Sequence, residues 1–105
     1  PHSVVLDGMT GAQQDWQAAR FEDLDAAHFE RLVALQPELV IFGSGSRLRF
    51  PQAPWIRALV EARIGIETMD TPAACRTYNI LAGEGRRVAA AILIEQGTIA
   101  ADGLK

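Results

Sequence analysis

"PELVIFGSGSRLRFP", residues Pro37 to Pro51, is the stretch whose reading decides the fold. Leu39 to Phe42 is an apolar run without polar alternation, the pattern of a strand covered on both faces of its sheet. Gly43-Ser44-Gly45 closes it, and Pro51 and Pro54 stand before the next helical pattern. A doubly covered strand that leads into a helix predicts an α/β unit rather than an antiparallel sheet with one wet face.

Upstream, Leu24, His28, Leu32 and Leu35 recur at helical spacing, with Phe29 and Val33 widening the stripe. The pattern predicts a helix over 24–36 that starts on Asp23 or Asp25 and stops at Pro37. Ser3 to Leu6 is a short strand closed by the turn signal Asp7-Gly8, and Asp15 to Phe21 is its hairpin partner, with Trp16 and Ala18 on one face. Downstream, Pro54 opens a helix over 54–63, where Trp55, Leu59 and Ala62 repeat at four and three with Ile56 and Val60 alongside. Ile64 to Met69 is a strand. Asp70-Thr71-Pro72 then pairs a capping side chain with an early proline and starts a helix reaching Ala82. Gly83-Glu84-Gly85 turns the chain into a last buried strand, Val88 to Ile94. From Leu24 onward the order alternates helix and strand. That predicts right-handed crossovers and a largely parallel sheet between helix layers, with the N-terminal hairpin added at its side.

The bulk numbers fit one domain over residues 1–105. A chain of this length buries roughly 65% of its unfolded surface and needs no metal or disulfide to fold. Its net charge is −3, which offers nucleic acid no broad electrostatic footprint. The charge is uneven: residues 1–46 hold seven acids against Arg20 and Arg31, while 47–105 hold eight bases against six acids. The single cysteine, Cys75, rules out an internal disulfide and fits a reducing, cytoplasmic setting. The longest near-apolar run, Val88 to Ile94, is far too short for a membrane span, so no membrane insertion is expected. Pro1 reads as a trimmed start.

Gly43-Ser-Gly45 invites a nucleotide reading, and three details turn it down. Leu48 stands where a dinucleotide fingerprint has its third glycine, no lysine follows as in a P-loop, and Pro51 and Pro54 hold the next helix away. The glycines then read as a sharp strand exit that needs positive φ or close backbone approach. A second reading stands beside it. Open α/β sheets present ligands at the carboxyl ends of their strands, and the helix start at Asp70 reaches the same edge. Arg47 and Arg49 alternate on one extended segment and Arg76 lies in the first turns of the third helix, so a small anion is a candidate ligand. A solvated loop face and an Asp70–Arg76 ion pair are the competing structural explanations. Cys75 sits near a helix start, where thiol pKa falls, but no histidine accompanies it: His2 is terminal and His28 lies on an apolar stripe. Tyr78 and Asn79 either dress a pocket or anchor helix to sheet. No nucleophile, base and orienting group assemble, so no catalytic residue, metal or cofactor is implied.

The residues from Pro37 to Ile94 resemble the Mth-type domain of unknown function, through "GSG", the "WI" of the next helix and "GIETMDTPAACRTYNILAGEGRRVAAAIL". The N-terminal third resembles it only loosely. The family includes the adipogenesis-associated Mth-domain protein and a mitochondrial respiratory complex I assembly factor. The resemblance implies a three-layer α/β fold with a mixed, mostly parallel central sheet. It implies no reaction. It marks Gly43, Ser44, Gly45 and Arg49 in one motif, and Asp70, Cys75, Arg76, Thr77, Tyr78 and Asn79 in the other. Two functions follow as expectations: a non-catalytic, assembly-factor-like module that binds a protein in a groove between the 43–50 loop and the 70–79 segment, or a binder of an anionic metabolite in the same crevice. Oligomeric state is not legible.

Overall fold

The run Leu39–Gly43 forms a strand paired on both sides, as its lack of polar alternation requires. The computed structural model describes residues 2–95. In chain order these are β1 (Val4–Asp7), β2 (Gln13–Asp15), a 3-10 turn (Phe21–Asp23), α1 (Ala26–Val33), β3 (Leu39–Gly43), α2 (Ala53–Glu61), β4 (Gly65–Met69), α3 (Thr71–Gly83) and β5 (Val88–Ile92). One five-stranded sheet has the order β2-β1-β5-β3-β4. β3 runs parallel to β4 and β5, whereas β1 is antiparallel to both β5 and β2. The parallel β5-β3-β4 unit with its flanking helices is the one the alternating pattern predicts, the hairpin stands at its side as expected, and the mixed sheet is what the family resemblance implies.

Alternate residues of β3 feed two different cores. Val40 and Phe42 face Phe29 and Leu32 of α1 and Leu59 of α2, while Ile41 faces Ala74 of α3 with Ala90 and Ile92 of β5. That split makes three layers, with α1 and α2 on one side and α3 on the other. The α1/α2 core is aromatic. Trp16, Phe21, Phe29, Phe42 and Trp55 form edge-on, tilted and stacked pairs with ring centroids 5.3–6.5 Å apart, and such pairs add about 1 kcal/mol each beyond area burial. On the other side Ala74 of α3 packs where β3 ends in Gly43, so the head of that helix lies close on the sheet. A Cβ placed on Gly43 would stand 3.0 Å from the Ala74 Cβ.

The helix caps follow the sequence. Asp25, not Asp23, caps α1, accepting from the His28 N–H, and Asp70 caps α3, accepting from the Ala73 N–H at 2.9 Å. Most boundaries shift by one or two residues, α1 starting at Ala26 rather than Leu24 and α2 ending at Glu61 rather than Arg63, and three others differ as well. α1 stops at Val33 rather than running to Gln36, because Gln36 takes a left-handed backbone at φ 54°. β5 ends at Ile92, two residues short of Ile94. β2 is Gln13–Asp15 rather than Asp15–Phe21. The turn sets that register: the Asp7 N–H donates to the Ala12 carbonyl and Gly11 adopts φ 77°, so pairing begins directly after the corner. Trp16 therefore leaves the strand and enters the core, 2% exposed, with its indole N–H on the His28 carbonyl.

Candidate functional site

The strand exit at Gly43 is closed by its own chain. Ser44 is fully buried; its hydroxyl donates to the Arg47 carbonyl at 2.7 Å and accepts from the Arg49 N–H at 2.9 Å. The Arg49 guanidinium folds back onto the Ser44 carbonyl at 2.7 Å, lies 4.7 Å over the Phe21 ring and bonds the Glu95 carboxylate. The second oxygen of Glu95 accepts from the Phe21 N–H at 2.9 Å. Both members of this ion pair are largely buried, their side chains 18% and 10% exposed. Glu95 thus occupies the position that an external carboxylate or phosphate would need in order to meet Arg49. Gly45 allows the arrangement: at φ 105°, an added Cβ would stand 2.6 Å from both the Arg49 guanidinium and the Glu95 carboxylate.

The head of α3 meets this loop, and it too is satisfied. The Gly45 N–H donates to the Thr71 hydroxyl, which donates to the Leu93 carbonyl at 2.7 Å, and the Thr71 N–H returns to the Gly45 carbonyl. Pro72 has no N–H. Those of Ala73 and Ala74 go to the Asp70 carboxylate and carbonyl. A helix start attracts an anion through free N–H groups, and here each donor of the first turn has an internal acceptor.

The structure therefore brings Gly43, Ser44, Gly45, Arg49 and Asp70 to one place and separates the other expected residues. Arg47 is exposed while Arg49 turns inward, so the two arginines do not point the same way. Along α3, Arg76 and Asn79 lie on the solvent stripe with Ile80, whereas Cys75 and Tyr78 are half-buried against the sheet. No Asp70–Arg76 ion pair occurs among the described residues. Burial, and after it the charge of Asp7, raise the Tyr78 hydroxyl above the ordinary phenol range. Asp7 pairs across the sheet with Ala89, near the start of β5 and away from the glycine loop, so Tyr78 anchors the lower half of α3. Among the described residues no group of three His, Cys, Asp or Glu could hold a metal. His28 is a packing residue: its Nε2 lies 2.7 Å from the Gln17 carbonyl and its ring meets Trp16 edge-on.

Thr71, Glu95 and Phe21 complete the network; in the sequence Thr71 reads only as part of the helix start, and Glu95 and Phe21 escape a motif-based reading. Glu95 had one signal: it is the first charge after the buried run that ends the last strand, and it leaves the sheet at the edge where the glycine loop does. On the loop's outer surface Leu48 and Phe50 are exposed at 51% and 68%, beside the exposed Ser46 and Arg47. A cleft of about 410 Å³ opens at the opposite edge, lined by Pro37, Glu38, Arg63 and Arg87, and none of the expected residues lines it.

Residues 1–93 match the sequence model of a family described as protein of unknown function (DUF498/DUF598). The human NADH dehydrogenase (ubiquinone) 1 alpha subcomplex assembly factor 3 is 33% identical over 99 residues, covering 92% of this chain and 49% of the human protein. The chain spans about half the length of that relative and of its Bos taurus counterpart. Among solved structures, a crystal structure from Bordetella parapertussis matches with TM-score 0.81 and 36% identity, covering 88% of this chain and 78% of that one. A Bordetella pertussis protein described as a Mth938-like domain matches with TM-score 0.74 and 28% identity, covering 90% and 74%.

Proposed function

The chain belongs to the DUF498/DUF598 family of proteins of unknown function, and from that premise we propose that it is a non-catalytic protein-binding module of assembly-factor type. It binds its partner on the surface shared by the 43–50 loop and the 70–79 segment. The observation that carries this reading is the closure of the carboxyl edge of β3. Ser44, Arg49, Glu95 and Thr71 satisfy one another, so the residues of the two segments left for a partner are outward-facing: Arg47, Leu48 and Phe50 of the loop, and Arg76 and Asn79 of the second motif. Similarity to a protein named as an assembly factor supports the same reading. Of the family-marked residues, Arg49 and Asp70 then act as braces, while Arg76 and Asn79 make contact.

The test is affinity capture of the intact, tagged chain expressed at native level in the organism that encodes it, under conditions that preserve weak complexes. A stable partner is expected, lost on Arg76→Ala with no change in melting temperature. Recovery of no partner contradicts the reading. The competing function, an anionic metabolite in the same crevice, has the exposed Arg47 and Arg76 to draw on. A thermal-shift screen of phosphates, carboxylates and nucleotides checks it, and a saturable stabilisation by one of them would favour it.

A further inference from the structure

Of the seven aromatic side chains, five form the cluster beneath α1 and α2 and Tyr78 packs against the sheet under α3. Phe50 alone stands mostly in solvent, 68% exposed. Leu48 is 51% exposed, and the residue between the two, Arg49, turns inward, so both apolar side chains face out. Their exposure is not slackness. The Ser44 hydroxyl holds the Arg47 carbonyl on one side of Leu48 and the Arg49 N–H on the other, and Glu95 holds the guanidinium. A corner that only turned the chain would need neither a buried hydroxyl nor a buried ion pair to keep a leucine and a phenylalanine in water. Paired exposed hydrophobes on a rigid support mark an interaction site, and pre-organisation lowers the entropy lost on binding.

The charge around this tip distinguishes it from the rest of the molecule. Between Leu39 and Val60 there is no acid, and the bases are Arg47, Arg49 and Arg57. Glu95 neutralises Arg49, which leaves Arg47 beside the tip and Arg57 in α2 exposed to solvent. The whole chain carries 13 acids against 10 bases. A partner bearing carboxylates meets two exposed arginines and no acid along this stretch, which favours its docking there. An anionic bilayer fits less well, because two exposed arginines on a chain of net charge −3 make a narrow cationic field.

Resting on the protein-binding reading above, we propose that Leu48 and Phe50 form the anchor of the interface, and that the partner offers them an apolar pocket rimmed by carboxylates facing Arg47. Phe50 is replaced by the photo-cross-linker p-benzoylphenylalanine in the intact chain, with Ile80, also exposed, replaced in a parallel variant. After irradiation in cells the cross-linked peptides are sequenced, and the partner segment found at position 50 is synthesised. The expected result is an adduct from position 50 with an apolar segment flanked by Asp or Glu. That peptide binds the chain, and it weakens by at least about tenfold on Phe50→Ser, on Arg47→Glu and on conversion of its own carboxylates to amides. The Phe50→Ser chain keeps its melting temperature. Adducts with a second copy of the chain, with lipid or with a basic segment overturn the proposal. So does sedimentation with phosphatidylglycerol–phosphatidylcholine vesicles that Phe50→Ser abolishes. A partner captured from position 80 but not from 50 removes this anchor and leaves the protein-binding reading standing; no partner at either position removes both.

Discussion

Gly43 and Gly45 are each glycine for a different physical reason. Gly45 sits at φ 105°, where an L side chain is strained and a Cβ would collide with Arg49 and Glu95. Gly45→Ala is expected to cost about 1–3 kcal/mol in urea unfolding. Gly43 has ordinary backbone and is glycine because α3 comes within contact of it. The ion pair beyond them is a brace: Arg49→Ala leaves the Glu95 carboxylate buried beside the Phe21 N–H, and about 3 kcal/mol of stability is expected to go with it. Removing both charges with Arg49→Met and Glu95→Leu is expected to cost much less than the sum of the single changes, which a double-mutant cycle by chemical denaturation measures. Loss of binding on Arg49→Ala would therefore report stability before contact. The glycines and arginines were visible in the sequence, and so was the corner they shape. Which arginine turns inward was not, because that depends on Glu95, distant in sequence and unmarked by any motif.

At the scale of elements, the helices were the legible part. Periodic apolar residues and explicit caps located α1, α2 and α3, and Asp70 caps α3 through the Ala73 N–H. Asp70→Ala is expected to cost about 1 kcal/mol, read as a lower thermal midpoint without loss of the fold. β3 and β5 were legible because central strands are apolar throughout. β2 was not. It is an edge strand of Gln-Gln-Asp, every residue exposed, so no burial pattern marks it, and the residues that suggested a strand, Trp16 and Ala18, pack into the aromatic core instead. The site followed the same rule. Contacts between near neighbours, such as Ser44 with Arg49, could be anticipated from a tight corner, whereas those from Thr71 to Leu93 and from Phe21 to Glu95 depend on how the layers close.

Charge and stability belong to the whole molecule. Asp23, Asp25 and Glu38 sit below the usual carboxylate range: Asp23 through the N–H groups of Ala19 and Arg20, Asp25 through His28, and Glu38 through the Arg86 guanidinium and the Arg87 N–H. Each binds its proton less tightly in the folded chain, so the unfolded chain takes up more protons on acidification. Their contribution is complete above the ordinary carboxylate range and is lost as the pH falls through the lowered folded values. The urea midpoint is expected to drop on acidification, and Asp25→Asn and Glu38→Gln are expected to flatten that drop. Tyr78 acts at the other end: its hydroxyl favours the neutral form when folded, so its contribution is lost as the pH climbs past the raised phenol value.

The central claim is that the carboxyl edge of β3 is closed by its own residues and serves to hold an outer surface toward another protein. Titration of the ¹⁵N-labelled chain with pyrophosphate and with citrate, followed amide by amide, tests it most directly. The account predicts that Gly45, Arg49, Thr71 and Ala73, whose N–H groups already have internal acceptors, stay in place at millimolar anion. Saturable shifts confined to those four amides would contradict it, because they would require an anion to displace Glu95 or Asp70 from the loop and the helix head.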